Sequence, residues 1–212
     1  MFYSAAAQPI EAEIEFSGQI VRIEVLNQSV YTNVSVNKRG YKQVTPSQTI
    51  RYDFKDIANN STVPLNSFYW RDTLPTDAVR LDKIITGTYS ARLNYKVVFQ
   101  TNLSNTQRVL ADNLNTLQNY TLDASPAALG LASNEYVTQV TFLFGRVPGG
   151  FRQVETPYIY CDVLSSLPHE YRFANKCDVG GMWRNQWIQA TDRWVTIIYR
   201  GGPVPTLPRT GY

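Results

Sequence analysis

The sequence predicts an all-β protein with the architecture of a β-sandwich. Its 212 residues include 14 Tyr and 9 Phe but only 2 Met, a composition that favours strands over helices. Short stretches of alternating apolar and polar residues follow one another, with Gly, Pro and Asn between them. Many short strands separated by turn signals are typical of a sandwich. No internal repeat is visible.

The predicted elements follow in chain order. SPAALGLAS is the only segment rich in helix formers and predicts a short helical turn. The weakly periodic segment from Ser104 to Asp123 fits either a hairpin or a helical turn. The predicted strands are IEFSGQIVRIEVLN, VYTNVSV, TIRYDF, SFYWRDTLP, VRLDKIITGTY, LNYKVVFQTN, YVTQVTFLFG, YIYCDVLS, YRFANKCDV and RWVTIIYR.

The chain divides into one main module and two short flanking segments. Residues 1–9 read as a disordered tail or a cloning remnant. Residues 10–200 form the predicted β-sandwich, and its first part, 10–33, belongs either to this sandwich or to a separate strand segment. Residues 201–212 are dense in Pro and Gly, which predicts an extended linker.

Composition and motifs exclude several classes of function. The net charge is +3 without any run of Lys or Arg, whereas a nucleic-acid-binding protein usually carries a basic stripe. One His and two Cys do not suffice for a His-rich metal site, and no cofactor is expected. No stretch is long and apolar enough to span a membrane. Motifs of hydrolases, metalloproteases and nucleotide-binding enzymes are missing, so a non-catalytic protein is predicted.

The C-terminal segment resembles the LPxTG sorting motif of Gram-positive wall-anchored proteins. The matching residues are Leu207, Pro208, Arg209, Thr210 and Gly211. The resemblance implies that a sortase cleaves after Thr210 and joins the chain covalently to peptidoglycan, which places the protein outside the cell. Pro208 disfavours a helix and presents an extended backbone. The apolar segment and basic tail that normally follow this motif are missing, which we attribute to truncation.

The body of the chain resembles conserved repeat modules of bacterial surface adhesins and pilins. The resemblance covers residues 33–199 and rests on TIRYDF, on the Asn-rich turn IANNSTVPL, on Asp72-Thr73-Leu74-Pro75 and on FANKCDVGG. It implies an immunoglobulin-like β-sandwich of the bacterial surface adhesin type, which serves as a non-catalytic stalk module of a surface protein. The alternatives are an adhesive module that binds a host matrix protein or glycan and, disfavoured, an extracellular hydrolase.

Many domains of this family contain an intramolecular Lys–Asn isopeptide bond. Carried over by position, the resemblance assigns the reactive lysine to Lys38, the acceptor to Asn175 and the assisting carboxyl to Asp72, with Asp53 in reserve. Burial would deprotonate the amine and keep the carboxyl neutral, so that the carboxyl hydrogen-bonds the Asn carbonyl. The alternative is that these are ordinary surface, turn and capping residues.

Two cysteines offer a second cross-link. If YIYCDVLS and YRFANKCDV form a hairpin, Cys161 and Cys177 lie nearly opposite each other. A disulfide is then geometrically feasible, and two buried free thiols are the alternative.

Two tryptophans are candidate ligand contacts. Trp183 and Trp187 in GGMWRNQWI are interpreted as loop residues able to bind a sugar or peptide. The alternative is that they belong to the core.

Overall fold

The computed structural model describes residues 10–16, 19–25 and 29–201. The chain forms two compact units, 1–31 and 32–212. In the first unit β1 (Ile10–Phe16) pairs antiparallel with β2 (Gln19–Val25). The predicted tail 1–9 and the sorting motif lie outside the described residues.

The second unit contains all the other strands. In chain order they are β3 (Val34–Arg39), β4 (Gln43–Val44), β5 (Thr49–Asn59), β6 (Leu65–Thr73), β7 (Val79–Ile85), β8 (Thr88–Tyr89), β9 (Asn94–Thr101), β10 (Ser104–Asn115), β11 (Thr121–Asp123), β12 (Val137–Val147), β13 (Gln153–Glu155), β14 (Tyr158–Val163), β15 (Arg172–Trp183) and β16 (Gln186–Ile198).

These strands form a sandwich of two main sheets, which confirms the predicted all-β class. A seven-stranded sheet has the order β10-β9-β12-β6-β15-β16-β4, and a five-stranded sheet has the order β11-β7-β14-β5-β3. β13 and β8 form a small additional ribbon. SPAALGLAS forms consecutive turns, in which the Leu129 N–H donates to the Ser125 carbonyl at 3.0 Å. Within the described ranges no helix is long and apolar enough to cross a membrane.

Aromatic side chains fill the space between the sheets. The Trp70 ring on β6 stacks on Phe142 with a centroid distance of 3.9 Å and lies 4.8 Å from Phe54. Its indole N–H donates to the Tyr89 hydroxyl at 2.9 Å. Each ring occupies an inward position of an alternating strand, as the sequence pattern predicts. A rigid aromatic core of this kind holds its neighbouring side chains in fixed positions.

One side of the sandwich is closed by its first and last long strands. β3 is the edge strand of the five-stranded sheet, and β16 lies next to the edge of the other sheet. The Lys38 backbone N–H donates to the Asp192 carboxylate at 2.7 Å, which links the two strands. The Trp194 indole N–H donates to the Tyr41 carbonyl at 3.0 Å, just after β3. These contacts fix the strand that carries Lys38 against the opposite sheet.

Candidate functional site

Three polar side chains meet inside the apolar core. Lys38, Asp72 and Asn175 each have no exposed surface. They come from β3, β6 and β15, so that one lies on the five-stranded sheet and two on the seven-stranded sheet. Asp72 is paired in register with Cys177, two residues after Asn175. Asp72 and Asn175 are therefore diagonal neighbours on the inner face of adjacent strands.

The strand pattern explains why these polar residues are buried. Side chains two apart in a strand share one face of the sheet. Each member of the site continues an inward-facing series, with Val34 and Val36 before Lys38, Phe68 and Trp70 before Asp72, and Phe173 before Asn175.

Asp72 lies between the two nitrogen atoms of the site. The Lys38 Nζ is 2.6 Å from Asp72 Oδ1, and the Asn175 Nδ2 donates to Asp72 Oδ2 at 3.2 Å. The residues chosen from the sequence thus come together. One detail differs from the prediction, because the carboxyl contacts the nitrogen of the Asn175 amide rather than its carbonyl oxygen. Such a bridge can pass a proton from one nitrogen to the other.

Aromatic rings shield the amine from water. The Lys38 Nζ lies 3.9 Å from the centroid of the Phe54 ring and 4.7 Å from that of the Tyr52 ring. Burial raises the pKa of the Asp72 carboxyl, and the neighbouring Lys38 and Asn175 act in the opposite direction. Holding two charges in such a dry site carries a desolvation cost, which their mutual attraction offsets.

The reserve carboxyl, Asp53, and the arginine next to Asp72 have partners outside the site. Asp53, the reserve carboxyl, is partly exposed and accepts a hydrogen bond from the Arg51 Nε at 2.8 Å. It follows an inward residue, so strand alternation turns it to the outer face. Arg71 pairs with Asp178 at 2.7 Å. Asp72 is thus the carboxyl of the site, and this neighbouring arginine does not compete for it.

Sequence reasoning missed the residues that support the site. A Cβ at Gly40 would lie 3.0 Å from ring carbons of both Trp194 and Tyr52, so a side chain there would displace one of the rings. Asp192 holds the backbone of Lys38 as described above. TIRYDF was predicted as a strand, and its alternation turns Ile50, Tyr52 and Phe54 to the inner face, but nothing in the sequence alone connects it with Lys38.

The predicted cysteine hairpin is wrong. Cys161 lies on β14, which pairs with β5 and β7, whereas Cys177 lies on β15, which pairs with β6 and β16. The segment between them crosses from one sheet to the other instead of turning back. Both cysteines are buried free thiols, in agreement with the alternative to the disulfide.

The two candidate tryptophans lie on strands and not in a loop. Trp183 ends β15 and packs partly against the core, and Trp187 follows at the start of β16 with 54% of its surface exposed. Arg184 and Asn185 connect the strands with positive φ angles of 44° and 68°, as in a tight hairpin turn. The Trp187 ring lies edge-on to Tyr69 at 6.2 Å. Of the two tryptophans, Trp187 is the more exposed.

Neither a search for metal-binding clusters nor a comparison with protein families indicates a further site. Among the described residues no group of three or more His, Cys, Asp or Glu side chains is arranged to hold a metal ion. No protein-family model and no curated protein matches the sequence.

Two solved structures share a general similarity with the chain. One is described by "AvmM Catalyzes Macrocyclization in Alchivemycin A Biosynthesis", with a TM-score of 0.32, 8% identity and coverage of 91% of this chain and 98% of the other. The second is a collagen-binding domain from a Staphylococcus aureus adhesin, with a TM-score of 0.29, 10% identity and coverage of 82% and 100%. These values are too low to support a functional comparison.

The state of the cysteines gives a first prediction. Burial raises the pKa of the Cys177 thiol to about 12 and raises the pKa of Cys161 well above its usual value. Because the thiolate is the reactive form, we expect neither thiol to react with a thiol reagent in the folded protein at pH 8. Both should react after unfolding without reductant. Absence of free thiols in the unfolded, unreduced protein would instead demonstrate the disulfide.

Proposed function

We propose that this chain is a structural module of a bacterial surface protein, stapled by an isopeptide bond between Lys38 Nζ and Asn175 Cγ. The observation that carries the proposal is Asp72, whose two oxygen atoms contact the amine at 2.6 Å and the amide nitrogen at 3.2 Å in a fully buried site. A merely structural ion pair does not need an amide group in this position.

The site contains every group that the reaction requires. Asp72 takes a proton from the Lys38 ammonium, and the neutral amine attacks the Asn175 carbonyl carbon. The bond from Cγ to Nδ2 then breaks, and Asp72 passes a proton to the departing nitrogen, which leaves as ammonia. The amide that forms is neutral, and one proton remains on Asp72. No oxidant or cofactor takes part.

The bond would tie the beginning of the sandwich to its end. Lys38 lies on the first strand of the second unit and Asn175 on the last strand but one. By analogy with a disulfide closing a loop of ~100 residues, the chain-entropy model gives about 5 kcal/mol of stabilisation. Force applied through the two ends could then extend only the chain outside residues 38–175. This suits a stalk module better than packing alone.

The sequence supplies the proposed anchor. LPRTG at 207–211 lies outside the described residues and follows β16, which ends at Ile198. A sortase and peptidoglycan are therefore the proposed partners, and an extracellular, wall-anchored location is the proposed setting. A stapled module next to an anchor would carry the load of whatever lies beyond it.

Intact mass tests the staple directly. We expect the denatured, reduced protein to weigh less than its sequence by one ammonia, because the amide is formed on folding. Lys38→Ala, Asp72→Ala and Asn175→Ala should each restore the sequence mass. Lys176→Ala is the matched control, because Lys176 is exposed and lies next to Asn175 on β15. This variant should still weigh less than its own sequence by one ammonia. Peptide mapping should join residues 38 and 175, and a wild-type mass equal to the sequence mass would refute the staple.

The sorting motif is tested with a purified sortase and a glycine-based amine. We expect cleavage after Thr210 and transfer of the chain to the amine, since Pro208 disfavours a helix within the motif. Thr210→Ala should abolish transfer, whereas Thr206→Ala, just before the motif, should not. Equal rates for wild type and Thr210→Ala would show that the pentapeptide is not a sorting signal.

Adhesive binding is the second candidate function, favoured by the exposed ring of Trp187. Gly180 lets the Tyr69 ring lie across β15, since a Cβ there would be 3.0 Å from that ring, and Tyr69 supports Trp187 from the side. If this surface binds a glycan or matrix protein, Trp187→Ala should weaken binding at least tenfold, by analogy with interface hot spots. Val109→Ala, exposed on β10, is the control. A panel of such ligands without any binder would argue against adhesion.

A further inference from the structure

Two buried oxygen atoms at the site lack a hydrogen-bond partner within the described part of the chain. They are the Tyr52 hydroxyl and Asn175 Oδ1, and both residues have no exposed surface. An unpaired buried polar atom costs free energy, so each of the two calls for an explanation. Burial raises the pKa of the Tyr52 phenol well above its usual value, and the neighbouring Thr196 and Asn175 side chains lower it. The phenol and the amide are thus neighbours in the core.

The other polar side chains near the amide have hydrogen-bond partners. Both oxygen atoms of Asp72 face nitrogen atoms, those of Lys38 and Asn175. The Thr196 hydroxyl donates to the Tyr41 carbonyl at 2.8 Å. The Thr196 hydroxyl thus has an acceptor, whereas that of Tyr52 has no hydrogen-bond partner in the described structure.

We propose that Tyr52 is a catalytic residue of isopeptide formation, whose hydroxyl donates a hydrogen bond to Asn175 Oδ1 when Lys38 attacks the amide. The inference rests on the proposed function and adds the group that stabilises the oxyanion. Asp72 then accepts and donates the protons of Lys38 Nζ and Asn175 Nδ2, and Tyr52 stabilises the negative charge on Asn175 Oδ1. The roles are divided between two residues because one carboxyl cannot contact all three atoms at once.

The step balances without any further reactant. The lone pair of the Lys38 amine forms the bond to Cγ, and the π electrons of the carbonyl move to Oδ1. Tyr52 hydrogen-bonds this oxygen and keeps its own proton, since burial makes the phenol a weak acid. When the intermediate collapses, the carbonyl reforms, Nδ2 leaves as ammonia by way of Asp72, and Tyr52 remains bonded to the oxygen of the new amide.

The surroundings of Tyr52 hold the phenol in place before the reaction. Its ring lies under the Lys38 amine at 4.7 Å and against Gly40, where a Cβ would come within 3.0 Å. Register pairs Tyr52 with Ile159 on the neighbouring strand. A hydrogen-bond donor that is already in position stabilises the transition state more than a mobile one, because no reorganisation is needed as the charge develops.

The experiment compares the rate of ammonia loss in three full-length proteins made by cell-free synthesis. Samples of wild type, Tyr52→Phe and Tyr95→Phe are quenched in denaturing acid at successive times, and their intact masses are measured by mass spectrometry. Tyr95 is the matched control, since its hydroxyl is also buried and unpartnered in the described structure. We expect wild type and Tyr95→Phe to lose ammonia at the same rate, and Tyr52→Phe to be slower by about a hundredfold, as for removal of one oxyanion donor. Circular dichroism verifies that each protein folds.

Each outcome separates this inference from the proposed function. If wild type keeps its full mass, the staple itself is refuted. If wild type loses ammonia and Tyr52→Phe does so equally fast, the staple stands and the role of Tyr52 is overturned. Equal slowing of Tyr52→Phe and Tyr95→Phe would reduce the effect to core packing and also overturn it.

A second measurement does not depend on the variant folding. In a high-resolution crystal structure of the stapled wild type, the oxygen of the new amide should lie within hydrogen-bond distance of the Tyr52 hydroxyl. An amide oxygen bonded to Asp72 instead, with Tyr52 directed elsewhere, would overturn the proposal.

Discussion

The structure depends on a lysine and an aspartate that share a dry core at a distance of 2.6 Å. A buried pair of this kind gains little net stability, because the cost of removing both groups from water offsets their attraction. Removing either partner is far more costly, since the other is left uncompensated. The pair therefore constrains its surroundings. β3 must carry Lys38 inward, and Asp192 holds its backbone. Gly40 leaves room for the rings of Trp194 and Tyr52, of which Tyr52 lies beside the amine.

These constraints also account for the way the sheets close. Lys38 belongs to the five-stranded sheet, and Asp72 and Asn175 belong to the seven-stranded one. The pair thus spans the sandwich rather than one sheet. The rings of Phe54, Trp70 and Phe142 pack on one another in the core, and Phe54 also contacts the amine. The core that provides stability therefore also holds the groups of the proposed reaction in place. Structure and chemistry cannot be separated at this site.

The fold class could be predicted from the sequence, because alternation and turn residues are local signals. Lys38, Asp72 and Asn175 could be named by resemblance, and alternation after Val36, Trp70 and Phe173 places each one inward. The passage of the chain from one sheet to the other between Cys161 and Cys177 could not be predicted, since consecutive strands that change sheets carry the same local pattern as strands that turn back. Tyr52 was part of the predicted strand TIRYDF, and its proposed role could not be predicted, because it depends on which atoms of distant strands lack partners.

The number of protons shared by Lys38 and Asp72 relates the site before the proposed reaction to the amide formed by it. The ammonium–carboxylate pair and the neutral amine–acid pair contain the same number of protons, so exchange between them needs no solvent and the pair can remain dry while it forms the nucleophile. The ionic form is the costly one in an apolar core. In the proposed reaction, amide formation replaces the amine with a neutral group whose oxygen accepts a hydrogen bond from Tyr52, and ammonia escapes. The proposed reaction would thus remove the desolvation cost of the buried charges, and its reversal would have to restore that cost.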